Sequence, residues 1–448
     1  MNAKAVKAMF TVVSAVTLAA MPLTGRSVTV DVTNFQQRYP WNGLVDIDYK
    51  ITRTGDESAL DPTKYSVEIS VVNCDSTPAV TNVAHVFRQG VLPVTEGAHR
   101  VTWDANAEGI TYSAKKVKVF ASIVHYAEKY MVIDVSGGSK ATTYPVTYMN
   151  GAPEGGFNTD EYKSDKIVLR LIPPGSFVMG SPANEPGHTG YESDGKTFFD
   201  YTLREIQHAV AITKPFYIGV FEITQKQYKN VMGTLPSNIK TEEQGDDRPV
   251  SRINHNLIRG AANTNTHQYD WPWNADVDPS TFMGKLRAKC KEVAGGEDLS
   301  AKAQIDLPTE AQWEYACRAG TTTPYNNGVP CATEADLETQ IKELGWSTED
   351  NTGTHKKVGQ YLPNAWGLYD MHGNAWEYCL DWFREDLQNQ EGEALDPKGP
   401  SSGTQRCVRG GGGNRTCKKC RSACRGSVGV SSTSTYNPFG IRLTVTLQ

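Results

Sequence analysis

Four stretches near the start of the chain, SVTVDVTNF, LVDIDYKI, YSVEISVV and KVKVFASIV, alternate apolar and polar residues and favour β-branched side chains. Only a strand buries one face at that period, because its successive side chains point to opposite sides. Turn formers separate the stretches: Pro40 to Gly43, Gly55 to Glu57, Asp61-Pro62 and Gly97. The spacing predicts an all-β sandwich over residues 27–135, of immunoglobulin or fibronectin type III kind. It carries no clustered acid/base, nucleophilic or metal-ligating set, and reads as a spacer or adhesion module.

Residues 136–165 are rich in Gly, Ser, Thr, Asn and Pro, the composition of a linker. Beyond them, residues 166–448 form a mixed region with much loop. Two helices there announce their own ends. In TQKQYKNVMG, Thr224 and Gln227 have capping-box spacing, Tyr228, Val231 and Met232 share a face, and Gly233 is placed to stop the helix. In TEAQWEYACRAG the same pattern recurs: Thr309 with Gln312, a buried face of Trp313, Ala316 and Cys317, and a stop at Gly320. AANTNTHQYDWPWNADVDPS, residues 261–280, has turn residues and two tryptophans but no period. A region so rich in loop is expected to need extra ties, disulfides or calcium. NPFGIRLTVTLQ reads as a closing strand.

The first residues, MNAKAVKAMFTVVSAVTLAAMPLTGRS, have the form of a signal peptide over 1–26: Lys4 and Lys7, then an apolar run from Ala8 to Ala20, then small residues. That predicts an exported protein, secreted or periplasmic, with no integral membrane segment. A net charge of −5 and the absence of a Lys/Arg run argue against nucleic acid as a partner. Export makes the nine cysteines candidates for disulfides. Cys74 is alone in the first third; the other eight fall between Cys290 and Cys424. Three of them, Cys417, Cys420 and Cys424, follow the four glycines of RGGGGNRTCKKCRSACRGS.

Five motifs occur in order: IPPGSFVMGSP (172–182), PFYIGVFEITQKQYKNVMG (215–233), LPTEAQWEYACRAGT (307–321), GLYDMHGNAWEYCLDWF (367–383) and NPFGIRL (437–443). Together they resemble the sulfatase-modifying-factor domain, the fold of formylglycine-generating enzyme. The resemblance covers nearly all of residues 166–448. It implies an α+β, C-type-lectin-like fold with little regular secondary structure, preceded here by the all-β sandwich.

Catalytic members of that family oxidise a sulfatase cysteine to formylglycine with copper and oxygen. Two thiolates hold Cu(I), a soft ion on soft ligands. Their cysteines have four residues between them; no two cysteines of this chain do. Aligned on Arg421-Ser422-Ala423, Cys417 falls on the second copper cysteine and Gly412 on the first. If the chain is an oxidase, Cys417 and Cys420 are the catalytic copper pair. C-x-x-C also suits zinc, but no second ligand pair is evident. As an extended segment, 420–424 would bring Cys420 or Cys424 opposite the inward-pointing Cys317, so these three are the disulfide candidates. The family's N-x-x-G-x-A-x-E calcium stretch falls on Asp370 to Glu377, which implies calcium held by the carboxylates of Asp370 and Glu377 and the carbonyls of Gly373 and Ala375. His355 and His372 read as loop histidines, either solvated or satisfied by hydrogen bonds.

Three functions follow. The first is a non-catalytic binding or structural member whose ligand is a protein, peptide or glycan, presented with Gly410 to Tyr436 as its surface. The second is a copper-dependent formylglycine-generating oxidase acting on a sulfatase. The third is the family's iron-dependent sulfoxide synthase branch, which takes histidine ligands from a helical domain that this β-rich N-terminal region does not resemble.

Overall fold

The computed structural model describes residues 27–37, 44–54, 65–73, 94–104, 117–125, 129–188, 204–212, 214–263, 265–290, 292–293, 297–298, 303–347, 355–385, 387, 394–432 and 439–447. The expected signal peptide and Cys74 lie outside them. The chain divides into two units, Met1–Tyr126 with Pro174–Val178, and Ala127–Pro173 with Met179–Gln448.

Every described residue up to 125 in a regular element is in a strand. Ser27–Gln37, Leu44–Thr54 and Gly97–Asp104 form one antiparallel sheet, and Tyr65–Asn73 pairs with Val117–His125 in another. The alternation read from the sequence sets the inward face: Val45, Ile47, Tyr49 and Ile51 are all fully buried. A bulge between Val32 and Asn34 shifts the first pairing by one residue.

The second unit is α+β, as expected. Its largest sheet has the strand order Glu297–Asp298, Glu292–Val293, Val146–Met149, Tyr130–Asp134, Lys166–Ile172, Phe216–Gly219, Thr444–Leu447, Ala303–Asp306. The closing strand foreseen in the sequence therefore lies inside this sheet. A four-stranded sheet orders Gly426–Gly429, Gln405–Arg409, Trp376–Trp382 and Phe439–Gly440.

The expected linker needs correction. Tyr130–Asp134 pairs with both Val146–Met149 and Lys166–Ile172, so residues 136–165 fold inside the second unit. They also carry a short helix, Asp160–Ser164. Tertiary bonds order the glycine-rich part: Tyr144 donates its amide to Lys289 O at 2.9 Å and its hydroxyl to Gly138 O at 3.1 Å.

Both expected helices form. Gln225–Met232 has its capping box at Thr224 and Gln227 and stops at Gly233 with φ 93°. Tyr228 and Val231 are buried; Met232 is half-buried. Glu310–Arg318 has its box at Thr309 and Gln312, and turns left-handed one residue earlier than expected, at Ala319. Each box closes two backbone donors that the helix leaves open, worth about 1 kcal/mol for the cap. Among the described residues no helix is long and apolar enough to cross a membrane.

Candidate functional site

The helix Glu310–Arg318 is buried along its whole length, so its polar side chains must find partners inside the protein. They find arginines. Glu310 takes Arg425 in a two-pronged pair at 2.6 and 2.7 Å, with Arg409 Nε at 3.1 Å. Glu314 takes Arg409 and, at 2.9 Å, Arg318. Burial alone raises a carboxyl, but Arg425 and Arg409 outweigh it and hold Glu310 at about 2. Arg409 Nη1 also donates to Ser422 O at 3.1 Å and Cys424 O at 2.9 Å, so the cysteine segment hangs from this guanidinium. Arg421 fixes the segment's other side, donating to Glu185 at 2.6 Å and to both Glu205 oxygens at 2.9 Å. Planar guanidinium forks matched to carboxylates and carbonyls tie the loops together here. The extra ties expected of this domain are buried ion pairs.

Cys417–Cys420 forms a single 3-10 turn between extended residues Thr416 and Arg421. Its carbonyls are anchored. Tyr325 donates its hydroxyl to Cys417 O at 2.8 Å. His372 Nδ1 lies 2.8 Å from Cys420 O while its Nε2 accepts the Asn326 amide at 3.1 Å. Those two partners fix one neutral tautomer with the proton on Nδ1, and burial pushes His372 down to about 4. Burial does the same to His355, also to about 4, and its Nδ1 lies 3.1 Å from Asn374 O. His372 uses both ring nitrogens in loop hydrogen bonds, whereas His355 uses Nδ1 alone and its buried Nε2 has no hydrogen-bond partner among the described residues.

The thiols of Cys417 and Cys420 pack with Tyr325, Leu337, Ile341 and Leu344, with Cys331 at the edge. Burial pushes the Cys420 thiol well up, away from the thiolate that a soft metal needs. A Cβ on Gly411 would come within 2.5 Å of Cys420 Sγ, so the glycine run lies directly on this sulfur. No group of three His, Cys, Asp or Glu side chains able to hold a metal occurs among the described residues. As arranged, with both sulfurs buried against Tyr325, Leu337, Ile341 and Leu344, the pair does not fit an open copper site.

Cys290, Cys317, Cys331, Cys379, Cys407, Cys417, Cys420 and Cys424 are all thiols. The expected bridge from Cys317 to Cys420 or Cys424 is absent. The expectation took 420–424 as extended throughout, but the 3-10 turn ends at Cys420 and turns that sulfur into the Leu337–Leu344 cluster. Ser422 is what reaches Cys317, with Oγ 3.6 Å from Sγ.

Of the residues expected to hold calcium, Glu377 has both carboxylate oxygens committed and Asp370 has one. Glu377 accepts from Arg442 at 2.7, 2.8 and 3.0 Å and from Trp313 Nε1 at 2.6 Å, which occupies both oxygens. Asp370, in the left-handed region at φ 57°, accepts the Gly359 amide at 2.6 Å. The Gly373 amide goes to Gly410 O, and Gly373 itself, at φ 109°, meets Trp346 O where a Cβ would stand. The Ala375 amide goes to Glu222, a buried carboxylate that no sequence pattern singled out. Glu377 as paired does not fit calcium: the Arg442 guanidinium stands where the cation was expected. Burial, with Glu377 nearby and Arg442 opposing, leaves Asp370 raised to about 6.

The expected recognition surface also changes. Residues 410–414 and 420–425 are buried, and 433–438 lie outside the described residues. The parts of 410–432 that reach the surface are short: 415–416, 418–419, 426–427 and 429–432.

A family described as "Sulfatase-modifying factor enzyme 1-like domain" matches residues 157–447. Formylglycine-generating enzyme of Bos taurus is 25% identical over 278 residues, which are 54% of this chain and 64% of that protein. Chaperone protein LppX of Paenibacillus barcinonensis is 31% identical over 178 residues, 37% of this chain and 62% of that protein. The chain thus spans less than two thirds of the length of either relative. Among solved structures, Treponema denticola variable protein 1 has a TM-score of 0.44 at 22% identity, over 62% of this chain and 95% of that one.

Proposed function

The chain belongs to the sulfatase-modifying factor enzyme 1-like family over residues 157–447, and from that premise we propose that it is an exported, non-catalytic member used for binding or structure. One observation carries the reading. The two sulfurs that an oxidase would offer to copper are buried, Cys417 4% and Cys420 0% exposed, beneath an aliphatic wall. The position matching the first copper cysteine is Gly412. A substrate thiol needs an open route to the metal, and these residues favour packing over access. Family membership alone does not choose an activity, since one relative carries the name of an enzyme and another that of a chaperone. Export rests on the positive, then apolar, then small-residue order of residues 1–26. The N-terminal sheets then serve as a spacer.

The test uses purified full chain, loaded anaerobically with Cu(I) and then given oxygen and a sulfatase-derived peptide with its target cysteine. The expected outcome is no stoichiometric Cu(I) uptake at Cys417 and Cys420 and an unchanged peptide mass. Oxygen-dependent conversion of that cysteine to an aldehyde, lost in Cys417→Ser, would overturn the reading and restore the oxidase.

A further inference from the structure

The loop over residues 261–280 is built as a rigid platform, although its sequence has no period. Arg259, itself fully buried and paired with Asp306 at 2.8 Å, reaches into it to Tyr269 O at 3.2 Å and Ala275 O at 3.3 Å. Arg287 and Gln304 grip the same Ala275 carbonyl at 2.8 and 3.0 Å. From the other side, Arg406 donates to Trp271 O at 3.3 Å and Trp382 Nε1 to Asp270 at 3.2 Å. Two residues other than glycine, His267 and Tyr269, sit in the left-handed region at φ 55° and 58°. Each such residue costs about 1–3 kcal/mol and persists only where its surroundings over-determine it, typically at sites of function.

What this scaffold holds outward is Trp273, 59% exposed and the most exposed large hydrophobic side chain among the described residues. Its indole N–H is already committed to Ser401 O at 2.8 Å, and that of Trp271 to Lys398 O at 3.2 Å. With the polar edge tied to backbone, the ring offers its π face. His267 stands against it with ring centroids 5.1 Å apart. The other exposed residues of the loop include Asn263, Asn265, Thr266 and Gln268, uncharged groups that hydrogen-bond, and one acid, Asp276. The ammonium of Lys398 is engaged over the Trp271 ring, 5.5 Å from its centroid.

From this we infer that the Trp273 loop is a carbohydrate-binding site for a neutral glycan. A pyranose ring has an apolar C–H face that stacks on an aromatic ring and a rim of hydroxyls that donate and accept. Amide and hydroxyl side chains match the rim because they too do both. An anionic ligand would have to draw Lys398 off its ring, and an apolar peptide would leave the amides unpaired. Fixing the indole before binding removes the ordering cost that a mobile side chain adds. The inference gives the binding reading a place and a ligand class, yet the two stand or fall separately, because this loop lies apart in sequence from Cys417 and Cys420.

The experiment is a titration of the full chain with neutral gluco-, manno-, galacto- and chito-oligosaccharides, read by calorimetry and tryptophan fluorescence. Saturable binding to at least one series is expected. Trp273→Ala should weaken it by about tenfold or more, the loss of one stacked aromatic, while Trp273→Tyr retains most of it. Gln268→Ala should weaken it less. Because Trp273 is exposed, Trp273→Ala should melt as the parent does, which separates lost binding from lost fold. No binding to any neutral series, binding only to charged oligosaccharides, or undiminished binding by Trp273→Ala would each overturn the inference. Peptide oxidation measured on the same preparation would overturn the non-catalytic reading and leave the glycan site standing.

Discussion

Replacing Ser422 by Cys should give Cys317 a disulfide partner. Cys317 Sγ and Ser422 Oγ are 3.6 Å apart, both side chains are fully buried, and the two positions are 105 residues apart. A disulfide needs about 2.05 Å between sulfurs, so the second sulfur has about 1.5 Å to close, within reach of a side-chain rotation. Closing a loop of that length removes chain entropy from the unfolded state equivalent to about 4.7 kcal/mol, before any native strain. For a unit of this size that corresponds to a melting shift of about 7 °C. Burial pushes the Cys317 thiol up to about 12, so the bond should form during folding in a glutathione redox buffer and not by later oxidation of the native protein. The assay is thermal unfolding of Ser422→Cys with and without reductant, together with non-reduced peptide mapping. The expected results are a reductant-sensitive gain in stability and a cross-linked peptide that joins Cys317 to the introduced cysteine. Identical melts, with Cys317 alkylated on unfolding without reductant, would refute the geometry. So would a parent protein in which Cys317 is already bridged to Cys420 or Cys424.

Asp381 supplies a pH test. Burial, with Glu310 nearby, pushes its carboxyl up to about 7, while the amide of Glu310 donates to it at 2.7 Å. A folded pKa above the unfolded one gives stability that is full below about pH 4 and lost as pH rises through 7. Asp381→Asn keeps an acceptor for the amide and does not titrate, so urea melts should show its advantage over the parent growing from pH 4 to pH 8, by up to about 4 kcal/mol. A pH-independent difference would place the proton elsewhere. The Glu377–Arg442 pair supplies a third test. Arg442→Met strands a buried carboxylate and should cost about 3–5 kcal/mol in denaturant unfolding, whereas chelator should leave the parent's melt unmoved. A chelator-induced fall would return Glu377 to a cation.

What the sequence revealed followed the range of the forces involved. The caps at Thr224 and Thr309 were legible because a capping box acts over three residues and needs no tertiary partner. A third box, Thr333 with Asp336, opens the helix Glu334–Leu344 and went unread because Asp stands where Glu or Gln is the usual sign. The alternation before residue 125 was legible for the same local reason. Residues 136–165 misled because composition cannot distinguish a tether from a loop whose amides are claimed by distant carbonyls, as Tyr144 is by Lys289. The site was harder still. Arg259, Arg406, Arg409, Arg421 and Arg442 are among the largest fully buried side chains, yet an arginine in a sequence reads as surface. Only the fold shows that Glu310 and Glu314, one helical turn apart, point at Arg409, and that a 3-10 turn withdraws Cys420 from Cys317.

The strand Thr444–Leu447 has consequences for how the protein is made. It sits between Phe216–Gly219 and Ala303–Asp306, pairing with each through residues far behind it in the chain. A ribosome that has passed residue 440 has released both neighbours but not the strand that joins them. Ala303–Asp306, at the edge of the largest sheet, therefore joins that sheet only when Thr444–Leu447 is available to pair with it. Once in place, that strand is what ties Ala303–Asp306 to Phe216–Gly219.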